Sequence, residues 1–73
     1  MREKCAVIYK RTVVNIVAGV QEACDVVAKA IYGEEAFAVS VTNLDVLIGD
    51  RYIDGIFYRM NGSGEWIPLG GET

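Results

Sequence analysis

The run Val46-Leu47-Ile48-Gly49-Asp50-Arg51-Tyr52-Ile53-Asp54-Gly55-Ile56-Phe57-Tyr58-Arg59 decides the fold of this chain. It reads as a β-hairpin with Asp54-Gly55 at its tip. A two-residue Asp-Gly loop between apolar, aromatic-rich segments supplies the positive φ that a type I′ turn needs at both central positions. That loop dictates the register: Ile53 faces Ile56, Tyr52 faces Phe57, Arg51 faces Tyr58 and Asp50 faces Arg59. Directly opposed residues share a face, and successive residues alternate faces. One face then carries Tyr52, Phe57 and the opposite charges Asp50 and Arg59, and the other carries Ile53, Ile56, Tyr58 and Arg51. Both hold large apolar groups, so a helix on one side cannot bury them all.

The length of 73 residues bounds a single domain, 1–73, with 70–73 as a loose tail. A chain this short buries a modest share of its surface and needs disulfides, a metal, oligomerisation or near-ideal packing. Two cysteines, Cys5 and Cys24, and no histidine fall short of a structural zinc site within one chain. Both cysteines lie on apolar faces with no secretion signal ahead of them, which favours two buried free thiols over a disulfide. Oligomerisation remains, and an apolar content of 52% supports it. Ten acids against seven bases argue against non-specific nucleic-acid binding, which needs a basic surface. The opening Met1-Arg2-Glu3-Lys4 leads into an apolar run too short for a signal peptide or a membrane span, so a soluble cytoplasmic product is expected.

Either side of the hairpin, the elements follow from local patterns. Val- and Ile-rich Lys4–Tyr9 and Thr12–Ala18 read as strands joined at Lys10-Arg11. In the second strand, alternation places Val14, Ile16 and Ala18 on one face and Val13, Asn15 and Val17 on the other. Gly19 breaks the strand, and a helix runs from about Val20 to Tyr32. Val20, Ala23, Cys24, Val27, Ala28 and Ile31 form one stripe at the helical period, expected to pack on the sheet. Glu22 and Asp25 near its start and Lys29 near its end suit the helix dipole, and Gly33 is placed to end it. A third strand covers Ala36 to Thr42, with Phe37, Val39 and Val41 facing one way. Asn43-Leu44-Asp45 is a turn, Asn61-Gly62-Ser63-Gly64 a second turn, and Glu65–Leu69 a short extended end that Pro68 confines to an edge. The whole is an α+β fold of order β-β-α-β-β-β, one helix packed on an antiparallel or mixed sheet.

Little catalytic chemistry is present. Without histidine, no Ser-His or Cys-His pair forms within the chain. No phosphate-binding or dinucleotide-binding glycine pattern occurs. Glu34-Glu35 reads as a solvated connection, and Asp50 as the structural partner of Arg59. These readings give a non-enzyme without cofactor or metal. Arg51, Arg59, Tyr52 and Tyr58, with Trp66 nearby, are the candidate contacts for a small anionic ligand, since guanidinium forks bind carboxylates and phosphates and rings stack on bases. Their alternative role is packing, with the arginine stems covering the aromatics. Ile53, Ile56 and Tyr58, with Trp66, are the expected contact of a homo-oligomer, most simply a dimer.

Ala6-Val7-Ile8, Val13-Val14-Asn15-Ile16-Val17, Ala30-Ile31-Tyr32-Gly33, and Ile48-Gly49-Asp50-Arg51-Tyr52 with Asp54-Gly55 and Phe57-Tyr58-Arg59 together resemble a group of small bacteriophage proteins. Those proteins are encoded beside tail-fibre genes, and similar segments end some tail-fibre proteins. The resemblance covers nearly the whole chain, and its most specific piece is the Ile-Gly-Asp-x-Tyr-x-Asp-Gly-x-Phe-Tyr run. Two positions depart from the group. Lys10-Arg11 replaces an Asn-Gly-like turn, and Gly19 stands where a Asp or Ser helix cap is usual. The resemblance implies a phage tail protein as partner and a place in the host cytoplasm or the virion, and brings no active site. A phage anti-defence protein that sequesters a nucleotide signal or blocks a host immune effector fits the same size and composition.

The hairpin register is directly testable. Gly55→Val places a β-branched residue at positive φ and should lower stability by ~1 kcal/mol or more in a denaturant titration. An unchanged midpoint would overturn the register.

Overall fold

β1 (Lys4–Tyr9) and β2 (Thr12–Ala18) pair antiparallel around Lys10 and Arg11, which stand at φ 54° and 65°. This is a two-residue turn of the primed kind built without glycine. The structure, a computed structural model, describes residues 3–41 and 44–69. The other elements are α1 (Gln21–Tyr32), β3 (Phe37–Ser40), β4 (Arg51–Ile53), β5 (Ile56–Met60) and β6 (Trp66–Pro68). The strands form one antiparallel sheet in the order β3-β1-β2-β4-β5-β6. The chain is therefore a small α+β domain with one helix on a six-stranded antiparallel sheet.

The C-terminal hairpin has the expected register, with Arg51 opposite Tyr58, Tyr52 opposite Phe57 and Ile53 opposite Ile56. Asp54 and Gly55 carry φ 52° and 84°. Its strands are shorter than the apolar run. Residues 46–50 do not continue β4, because Asp50 N–H bonds Leu47 O at 3.1 Å and closes a turn with Gly49 at φ 102°. The third strand is likewise trimmed to Phe37–Ser40, and the expected Thr42 end, the Asn43 of the turn and the 70–73 tail lie outside the described residues.

Strict alternation fails in β2. The register steps from Val7 opposite Asn15 to Ile8 opposite Val13, so Val14 is the extra residue of a β-bulge. Val13 and Ile16 consequently share one side of the sheet, and Val14 and Val17 the other. This corrects the two faces expected from simple alternation. Asn15 accepts the N–H of Ile16 at 2.8 Å, next to the bulge.

Apolar groups are buried on both sides of the sheet. On the helix side, Cys5, Cys24 and Ala38 form one cluster, and Val7, Ala28 and Ala36 another, edged by Tyr9 and Tyr32. The larger core is on the far side: Ala6, Ile8, Val13, Val41, Val46 and Phe57, with Phe37, Val39, Leu44 and Tyr52 packed on it. There the sheet curls, and the Tyr52 ring of β4 comes to 5.8 Å from Phe37 of β3 although two strands separate them in the sheet.

The helix is rotated away from its expected seat. Only Cys24 and Ala28 of the apolar stripe are buried, while Val20, Val27 and Ile31 are 50%, 46% and 65% exposed. The cause is the unpaired edge of β3. Ser40 N–H donates to Gln21 Oε1 (2.8 Å), Ala38 N–H donates to Asp25 Oδ1 (3.0 Å), and Lys29 Nζ donates to Ala36 O (2.7 Å). Gln21, Asp25 and Lys29 follow the i, i+4, i+8 line of one helix flank and run along that edge. The N–H of Ala38, and then Lys29, hold the Asp25 carboxyl below the usual carboxylate range.

A group with a depressed folded pKa stabilises the fold above its unfolded pKa, about 3.9 for Asp, and that stabilisation disappears as pH falls through the folded value. Asp25→Asn keeps an acceptor for Ala38 but has no charge to lose. The melting-temperature gap between the native chain and Asp25→Asn should therefore be widest near neutral pH and close as pH drops below about 4. A gap independent of pH would contradict the role given to Asp25.

Candidate functional site

β4, β5 and β6 present one face to solvent. Opposed pairs share a side, so Arg51 with Tyr58 and Pro68, Ile53 with Ile56, and Met60 with Trp66 all project together. Thr12 lies opposite both Tyr9 and Arg51, which places this surface on the helix side of the sheet. The helix lies over β3 and β1 and does not reach it. Ile56 and Met60 are exposed, and Ile53, Tyr58 and Trp66 half-buried. The Arg51 guanidinium sits 4.6 Å above the Trp66 ring, a cation–π stack. Among the described residues no carboxylate pairs with Arg51.

The four residues expected to bind an anion are split between the two sides. Arg51 and Tyr58 are on the outer face. Tyr52 turns inward, 4.6 Å from the Phe57 ring. Arg59 is also turned to that side and is no free anion contact, which corrects the expectation. Its Nε and Nη2 bond the two Asp50 carboxylate oxygens at 3.1 and 2.9 Å, and Nη2 also donates to the Asp45 carbonyl. Asp50 is buried and accepts the Leu47 N–H as well, at 2.8 Å. The pair ties the turn after Val46 to β5, and its hydrogen bonds hold Arg59 protonated above its ordinary range. The residues expected at an oligomer contact, Ile53, Ile56, Tyr58 and Trp66, do lie on one face.

A cleft of about 500 Å³ opens where the curled hairpin approaches β3, lined by Val39, Leu44, Tyr52, Phe57, Pro68 and Leu69. It meets the outer face at Ile56 and Pro68. Its walls suit an apolar side chain better than a charged ligand. Cys5 and Cys24 are free and buried side by side in one cluster. Burial, and then Cys24 beside it, pushes the Cys5 thiol up to about 11, so it stays protonated and unreactive at neutral pH. Glu34 and Glu35 are exposed in the helix-to-strand connection. No described helix is long and apolar enough to cross a membrane.

The surface that sequence reasoning missed is the outward face of α1, because its apolar stripe was assigned to the sheet. Set against known proteins, the chain matches no family model, no curated protein and no solved structure.

Removing Arg59 leaves Asp50 buried without its charge partner. Arg59→Met should cost ~2 kcal/mol or more in denaturant titration, and adding Asp50→Asn should restore part of that loss. Additive losses in the double variant would show that the two groups do not act as a pair.

Proposed function

We propose that this chain is a non-enzymatic, oligomeric binding and assembly module that docks its partner through the outer face of β4–β6. The observation that carries the reading is that face itself. Ile53, Ile56, Tyr58, Met60 and Trp66 are gathered on one rigid strand surface with Arg51 stacked in their midst, and the chain's own helix leaves them uncovered. Aromatic anchors with an arginine are the composition of interface hot spots. The resemblance to small phage proteins makes a tail-fibre protein the best specific partner. Phage particles purified by density gradient should then contain the native chain. They should lack Ile56→Glu, provided that variant melts at the native temperature. Absence of the native chain from the particles would overturn the tail-fibre assignment.

One observation favours a second reading, capture of a small anionic ligand such as a nucleotide signal in an anti-defence role. A guanidinium lying on an indole with Tyr58 opposite it offers both charge and a stacking surface. Trp66 is the single tryptophan, so its fluorescence reports that site alone. Titration with mono- and dinucleotides should quench it in the native chain and not in Arg51→Met, and a flat titration of the native chain would reject this reading.

A further inference from the structure

The side of α1 turned away from the sheet is mostly apolar, and its one charge is the exposed Glu22, a turn before Val26. Val20, Ala23, Val26, Val27, Ala30 and Ile31 are all exposed. Gln21, Asp25 and Lys29 are engaged at the β3 edge instead. A helix face of this breadth and apolarity marks a contact.

Four of these residues also match a helix-pairing seam. Val20, Ala23, Val27 and Ala30 recur at alternating spacings of three and four, and large alternates with small. Turned antiparallel about a two-fold axis, a second copy sets its Ala30 against Val20 and its Ala23 against Val27. Every layer of the seam then joins one valine to one alanine. A parallel copy would set valine on valine and alanine on alanine, crowding some layers and emptying others. The alanines permit axes near the short end of the ~8–10 Å range of packed helices. Antiparallel pairing also opposes the helix dipoles favourably. The four seam positions are uncharged, and Glu22 lies outside them on the flank beside Val26.

The two outermost strands of the sheet are poor alternative routes to self-association. The β3 edge is filled by the helix side chains. On β6, the bonds from Asn61 N–H to Glu65 O and from Leu69 N–H to Phe57 O turn alternate backbone groups inward. The outward ones belong to Trp66 and Pro68, and proline has no N–H to give.

We propose that the protein forms an antiparallel two-fold dimer through α1, with the second copy's helix seated on Val20, Ala23, Val27 and Ala30. This goes beyond the docking role of the β4–β6 face, which the self-contact leaves uncovered.

Light scattering after size exclusion tests it with four full-length proteins at matched concentration. The native chain should run at about twice 8.0 kDa. Val27→Glu should run at half that mass with an unchanged circular dichroism spectrum, because the position is already exposed. Ile56→Glu should remain a dimer. Val27→Glu combined with Ala23→Lys should recover the dimer, since antiparallel pairing sets the introduced opposite charges against each other, whereas parallel pairing sets like against like. A monomeric native chain, a dimer that survives Val27→Glu, or a dimer lost in Ile56→Glu would each overturn the helix interface. Failure of the double variant to recover the dimer would overturn its antiparallel sense. None of these outcomes depends on tail-fibre binding, so the two proposals fail separately.

Discussion

Three side chains laid along a free strand edge set the orientation of everything outside the core. β3 is an outer strand, and an exposed edge of N–H and carbonyl groups is an invitation to unwanted pairing. Gln21, Asp25 and Lys29 answer two of its donors and the carbonyl just before it. A helix whose polar flank is committed to an edge cannot also turn that flank to water. Its small residues Cys24 and Ala28 then meet the sheet, and its larger apolar residues turn outward. The edge is protected and the helix surface is left to find cover elsewhere.

A second constraint acts on the opposite side of the sheet. Among the described residues no helix lies over the far-side core, which is closed by the sheet's own curl and by Val41, Leu44 and Val46. A segment without regular structure must satisfy its backbone locally. Asp50 does so by accepting the Leu47 N–H while holding Arg59, and Arg59 in turn reaches the Asp45 carbonyl. One buried ion pair thereby joins the covering segment to β5. The same pair removes Arg59 from the ligand contacts and leaves Arg51 as the unpaired cation of the hairpin among the described residues.

What could be read in the sequence follows from how local each cause is. Asp54-Gly55 carries its turn conformation in its own chemistry, so the hairpin register and the Asp50–Arg59 pairing were both legible. Lys10-Arg11 adopts positive φ at a cost, and its place was evident only because the strands either side are unambiguous. The bulge at Val14 has no local signature, since a valine among valines fits any position of a strand, and simple alternation therefore misassigned the faces of β2. The helix face was misjudged for a different reason. Periodicity arguments assume that the polar flank of a helix faces water. Here that flank faces backbone, and no feature of residues 20–32 taken alone announces an edge strand beside them. The outer face of β4–β6 was legible as a set of residues, but its stacking of Arg51 on Trp66 depends on a third strand whose register a loop of glycine, serine and asparagine does not reveal.

The small contribution of α1 to the core bears on how folding and assembly are connected. The helix gives the interior two short buried side chains, Cys24 and Ala28, with Tyr32 half-buried against Tyr9 at the margin, and is tied to the β3 edge by three hydrogen bonds. Gly33 adds a backbone cap at the helix end. Apolar burial, the dominant source of helix stability in proteins, is mostly missing on the sheet side. In a helix-paired dimer the missing burial is supplied by the second copy, on the face that the β3 edge turned outward. The interaction that protects the edge would then be what couples the seating of the helix to dimer formation, and the stability of this small domain would rise with its own concentration.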